Sequence, residues 1–189
     1  WQGRGLDADA VLADVDAATL SEPEVMAWAL PRAANQFWML SEPERATAFL
    51  RTIRGRVQTS AAQVTLDALS ATFAMNAGNL GRAMQLADAV LAVPDASDTV
   101  VGWAASAAAL SCARTGRLNE VDAFAERALA AGQPGLLRFT SGFGQTTALL
   151  LAGEPDKAQA LAQELIDFTQ SQQPGRAIGE VLLADVLIA

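Results

Sequence analysis

Apolar residues recur at helical spacing along this chain, and the pattern is interrupted at regular intervals. In AGNLGRAMQLADAVL, Ala77 to Leu91, a glycine closes one apolar stretch and another opens within three residues. Ala83, Leu86, Ala87, Val90 and Leu91 then share one face of a helix. TGRLNEVDAFAERAL repeats the arrangement around Gly116, and AGEPDKAQALAQELI repeats it around Gly153, at separations of 38 and 37 residues. Five residues after each glycine stand Ala83, Val121 and Ala158; eight after stand Leu86, Phe124 and Leu161, each followed by an alanine. Twelve and thirteen after come Val90-Leu91, Ala128-Leu129 and Leu165-Ile166. One period further back, LSEPERATAFLRTI supplies a degenerate copy with Ser41 in the glycine's place and Ala46, Phe49, Leu50 and Ile53 at the same offsets.

Each unit reads as a helical hairpin. The first helix ends at a glycine suited to a left-handed C-terminal cap, and the second begins two or three residues later. Ser-x-x-Glu in LSEPE, at Leu20–Glu24 and again at Leu40–Glu44, is a capping box with proline in the first turn, so helices start near Glu22 and Glu42. The spacing predicts a lead-in helix over 7–18, pairs at 22–39 with 42–55, 60–77 with 80–92, 97–115 with 118–131 and 136–152 with 155–170, and a last helix over 174–189. Pro31 is expected to kink or break the first helix of the first pair. Seven residues before each turn, Ala34, Ala71, Ala109 and Thr146 form a column of small side chains for close helix contact. The expected fold is all-α, a right-handed superhelix of antiparallel hairpins, with residues 1–21 leading in and residues 22–189 forming about four hairpins and a final unpaired helix. The first residue is not methionine and the last helix lacks a mate, so the sequence reads as a piece of a longer protein.

Composition agrees with closely packed helices: 51% of residues are hydrophobic, 6% are aromatic, and tyrosine is absent. A net charge of −8 argues against direct contact with nucleic acid or anionic lipid. The run Arg51, Arg54, Arg56 reads as cations at a helix C-terminus. With no histidine and Cys112 as the single cysteine, a Ser-His-Asp or Cys-His site, a Cys/His zinc site and an internal disulfide are all excluded. Cys112 reads as a small buried apolar residue. No signal peptide and no membrane-length apolar run is visible, which predicts a cytoplasmic protein.

The hairpin tiles resemble tetratricopeptide (TPR) repeats, although they are longer than the usual 34 residues and the aromatic signature of the first helix is weak. Tiles such as AGNLGRAMQLADAVL and TGRLNEVDAFAERAL are similar to those in the C-terminal region of large ATP-binding LuxR-type, MalT-like transcriptional regulators, and twelve arginines beside the single Lys157 suit a GC-rich actinobacterial genome. In that family an ATPase precedes the repeats and a helix-turn-helix follows them. Neither motif occurs here, so the resemblance implies sensing or assembly within a transcriptional regulator.

Candidate chemistry is sparse. SGFGQTTALL resembles a phosphate loop but has Gln145 where the lysine would stand and lies where the repeat demands a helix. DADAVLADVD lacks the glycine and glutamate of a calcium loop, so Asp7, Asp9, Asp14 and Asp16 read as a solvated helix face. No metal, cofactor or catalytic residue is expected. In TPR-like stacks, fixed offsets of the first helix line a concave groove. In this register they are Trp28 and Trp103, Asn35, Thr72 and Thr147, Trp38 and Met75, Met39, Asn76 and Arg114, with Phe143 nearby. Such a wall suits an apolar or mixed ligand, a small effector or a protein partner, although packing between helices is the other use for the same tryptophans. Self-association through the apolar last helix is the alternative function, which would make the chain a homodimer scaffold.

Overall fold

Three turn glycines have the same backbone conformation in the computed structural model, which describes residues 3–132, 135, 137–169 and 175–189. Gly78, Gly116 and Gly153 have φ of 80°, 78° and 76°. Each closes its helix in the same way. The glycine amide donates to the carbonyl two residues before the C-cap (Met75, Ala113, Leu150), and the next amide donates one residue further back (Ala74, Cys112, Leu149) at 2.8–2.9 Å. A Cβ at any of the three would meet nothing within 4 Å, so φ alone selects glycine there. Ser41, at the equivalent corner, has φ of 56° and is the one non-glycine residue at positive φ among those described.

These corners separate ten helices, and no strand is present among the described residues. They are α1 (Gly5–Ala13), α2 (Glu22–Ala34), α3 (Pro43–Arg54), α4 (Ser60–Asn76), α5 (Leu80–Leu91), α6 (Asp98–Arg114), α7 (Leu118–Ala130), α8 (Leu137–Leu151), α9 (Pro155–Phe168) and α10 (Gly175–Ile188). A 3₁₀ turn covers Ala17–Thr19, and a π-helical turn, Asn35–Met39, extends α2. Both helices of a pair pack on each other, and α6 packs in addition on α4 and α8. No described helix is long and apolar enough to cross a membrane.

The small-residue columns read from the sequence are buried, while Phe49, Phe124 and Leu161 in the column eight past the corner are half-buried. Ala46, Ala83, Val121 and Ala158 are fully enclosed, as are Ala71, Ala109 and, almost, Thr146. Thr146 keeps its hydroxyl satisfied by donating to the Gly142 carbonyl at 2.9 Å. Between α6 and α8 the contact is with backbone: a Cβ on Gly144 would lie 3.0 Å from the Ala109 carbonyl oxygen. Leu129 departs from its column and is exposed.

Two expectations near the N-terminus are corrected. The lead-in helix ends at Ala13, because Asp14 and Asp16 oppose the helix dipole at a C-terminus and Asp16 instead caps the 3₁₀ turn through Ala18 N–H at 3.0 Å. Pro31 does not break α2. The helix continues past it and widens at Asn35–Met39, where Leu40 N–H donates to Asn35 O five residues back. The extra residue in this turn shifts everything before it by one position. Ala33, not Ala34, is therefore the enclosed small residue of the first pair.

The capping box at Ser21 forms as read. Glu42 takes the N-cap position before Pro43, but no side-chain bond caps α3. Glu22 receives the backbone amides of Gln58 and Thr59 and the Thr59 hydroxyl, pinning the start of α4 to the start of α2. Of the arginine run, Arg54 is bidentate with Asp67 on α4 at 2.6 and 2.8 Å, and Arg56 donates to Ala17 O. Asp9 is not solvated: it lies 2.9 Å from Arg45 and holds α1 against α3.

Two measurements check this account. Ser41→Gly is expected to raise the free energy of unfolding by about 1 kcal/mol, and Gly116→Ala to lower it by about 1–2 kcal/mol, both read from urea midpoints. The hydrogen bonds from Gln58 and Thr59 hold the Glu22 carboxyl below its ordinary value of 4.5. Its stabilisation is therefore complete above the ordinary carboxylate range and is lost as pH falls through that range towards the folded-state value. Unfolding midpoints measured at falling pH should show a shallower acid loss in Glu22→Gln than in the wild type.

Candidate functional site

The first helices of the pairs, with the π turn and α10, leave a cavity of about 860 Å³ between them. Trp38 enters it from the π turn, Leu69, Thr72, Met75 and Asn76 from α4, and Trp103, Leu110 and Arg114 from α6. Phe139, Thr140 and Phe143 on α8 and Ile178 on α10 close the far side. Seven of the residues read from the sequence thus meet around one space: Trp38, Thr72, Met75, Asn76, Trp103, Arg114 and Phe143.

Four others lie elsewhere. Trp28 is in the core, 9% exposed, with its indole N–H donated to Leu12 O at 2.7 Å and Phe49 edge-on at 5.3 Å. The π turn explains this, because one inserted residue rotates all preceding side chains by about 100°. Trp28 consequently occupies the position that Leu66, Ala104 and Ser141 fill in the later pairs, and all three are buried. Asn35 faces α1 and donates to Gly5 O at 2.9 Å. Met39 also faces α1, its Cβ 2.9 Å from where a Gly5 Cβ would stand. Thr147, one turn beyond Phe143, does not line the cavity and donates to the Phe143 carbonyl at 2.7 Å.

Leu30, Pro31, Ala34, Leu69, Phe139 and Ile178 line the cavity although the sequence reading did not place them on the wall. Pro31 and Ala34 were rotated into the wall by the π turn. Phe139 and Ile178 come from the last elements, where α10 packs on α8 and α9 and Gly179 allows Phe139 to approach to 3.2 Å of the Cβ position.

The aromatic residues hold the wall together as well as lining it. Phe73, fully buried, stacks on Phe37 at 4.2 Å and meets Trp38 edge-on at 5.2 Å. Trp103 packs against both the core of α2–α4 and the core of α4–α7, and Phe143 packs against the latter and the core of α8–α10. Trp38 is 41% exposed, so its ring is available at the edge of the cavity.

SGFGQTTALL lies within α8, with Ser141, Gly142 and Gly144 buried against neighbouring helices. Cys112 is buried with its sulfur 3.9 Å from Met84 Sδ, and burial pushes its thiol pKa up. Among the described residues, no group of three His, Cys, Asp or Glu is placed to hold a metal.

Fold and cavity together define an all-helical protein with an apolar hollow between its first helices. No protein-family model and no curated protein matches the chain.

The different placements of the tryptophans give a direct check. Trp28→Ala should lower the free energy of unfolding by about 3–5 kcal/mol. Trp38→Ala should cost clearly less, because its ring is partly in solvent. Urea denaturation of the two variants measures the difference.

Proposed function

We propose that this chain is a non-catalytic binding module that takes a small apolar or amphipathic effector into the cavity. In this reading the hairpins are TPR-like and stack into a right-handed superhelix. The module belongs to a larger cytoplasmic regulator of the LuxR-type, MalT-like kind. The observation that carries the proposal is the cavity itself, whose size falls within the range of small-molecule sites and whose wall joins two tryptophans and two phenylalanines to a few polar groups. Its wall draws on three separate core clusters. An occupant touching all of them favours one mutual arrangement of the hairpins over others. Neighbouring domains respond to that difference in the manner of any ligand-driven population shift.

A neutral fluorescent probe, N-phenyl-1-naphthylamine, tests the cavity without assuming its natural ligand. The protein should bind the probe with blue-shifted emission, and Trp38→Ala and Trp103→Ala should each weaken binding about tenfold. Absence of probe binding, or wild-type affinity in both variants, would falsify the assignment of the cavity.

Self-association is the second reading, favoured by the exposure of Val181, Leu187 and Ile188 on α10. It requires a dimer in sedimentation equilibrium that Leu187→Glu disperses. A monomer that binds the probe supports the effector reading instead.

A further inference from the structure

The charge distribution around the cavity is at odds with that of the chain. The sequence carries 21 acidic residues and a net charge of −8, yet among the described residues no aspartate or glutamate lines the cavity, and the one charged residue that does is Arg114. Eight of the thirteen cations pair with carboxylates within 4.0 Å (Arg4, Arg32, Arg45, Arg54, Arg117, Arg138, Lys157 and Arg176), and Arg114 is not one of them among the described residues. Its contacts are long: Nη1 lies 3.4 Å from Met75 O and 3.9 Å from Met75 Sδ. That carbonyl already accepts the Gly78 amide at 3.2 Å. The guanidinium thus has most of its donors available at the cavity edge, where it is exposed.

Helical register fixes where this charge sits. Arg114 stands two residues before Gly116 and Asn76 two before Gly78, so both mark the corner end of the wall, with the Asn76 amide oriented by donation to Thr72 O at 2.9 Å. Trp103 lies eleven residues before Arg114 on the same helix, about 16 Å away along the axis at 1.5 Å per residue. Leu110 lies between them on α6, and Leu69 and Phe143 add apolar surface from the neighbouring helices. The hollow is therefore cationic at one end and mainly apolar along its length, where Thr72 and Thr140 are the polar lining residues.

We propose that the ligand is an amphipathic carboxylate. Its head group pairs with the Arg114 guanidinium beside Asn76, and its apolar body lies along the cavity towards Trp103. This rests on the cavity being a ligand site, as proposed above. A planar guanidinium matches a carboxylate through two parallel hydrogen bonds, whereas a neutral head group takes weaker bonds and a cationic one is repelled. The carbonyls at the end of α6 also favour a cation at this position, so the stability of an Arg114 variant does not discriminate; head-group selectivity does.

Displacement of N-phenyl-1-naphthylamine by decanoate, decanol and decyltrimethylammonium supplies the test, on the wild type and on Arg114→Gln. On the wild type, decanoate is expected to displace the probe at about one tenth of the decanol concentration, with decyltrimethylammonium weakest. In Arg114→Gln the advantage of decanoate over decanol should vanish, with decanoate losing far more affinity than decanol. Equal potency of decanoate and decanol on the wild type overturns the carboxylate assignment and leaves the cavity reading standing. So does an advantage of decanoate that survives in Arg114→Gln. Failure of the wild type to bind the probe at all removes the cavity reading, and this proposal with it.

Discussion

A single residue at positive φ sets the phase of each hairpin, and the packing of the chain follows from that phase. Gly78, Gly116 and Gly153 hold nearly one value of φ and hand over the same pair of carbonyls, so the second helix folds back on the first at the same rotation each time. With that rotation fixed, residues at one offset meet the same environment in every pair. Alanine or valine five residues past the corner is then always enclosed, and at Ala71, Ala109 and Thr146 the small residue seven before it is buried. Nothing sterically prevents a side chain at these corners, so the constraint lies in the backbone alone.

Where the phase slips, the chemistry of the wall changes. The π turn after α2 adds a residue without moving the corner at Ser41, and the rotation it imposes sends Trp28 into the core and turns Pro31 and Ala34 towards the cavity. Trp38 lies inside the turn and keeps its place at the edge. The same turn frees Asn35 and Met39 to hold α1. One local widening of a helix thus both fastens the N-terminal segment and reduces the expected row of wall tryptophans to two.

Cavity and core are made by the same side chains. Small residues let α6 and α8 approach until backbone meets backbone at Gly144, while Trp103 and Phe143, too large for such contact, bridge the three apolar clusters and leave space beside them. A wall of this kind has little freedom to rearrange residue by residue, because each ring also supports two clusters. Charge is handled separately. Arginines on the outside are mostly paired, and Arg114 at the cavity edge has no carboxylate partner among the described residues.

Helix number, the corners and the helix ends from α4 onwards were legible in the sequence because each is set by short-range rules: apolar spacing, capping residues, and glycine where φ must be positive. The buried columns were legible for the same reason, since a constant repeat converts offset into environment. Thr72, Met75, Trp103 and Arg114 were placed on one wall by that conversion, and the structure brings them together. The π turn was not legible: NQFWM carries no signal for an extra residue, and its side chains find their partners far away in the chain, Asn35 and Met39 on α1 and Phe37 on Phe73. Nor was the closure of the cavity by Phe139 and Ile178, which depends on how α10 settles against α8 and α9 through Gly179. Local sequence determined the helices and their phase; contacts between segments far apart in the chain decided which phased side chains face the hollow.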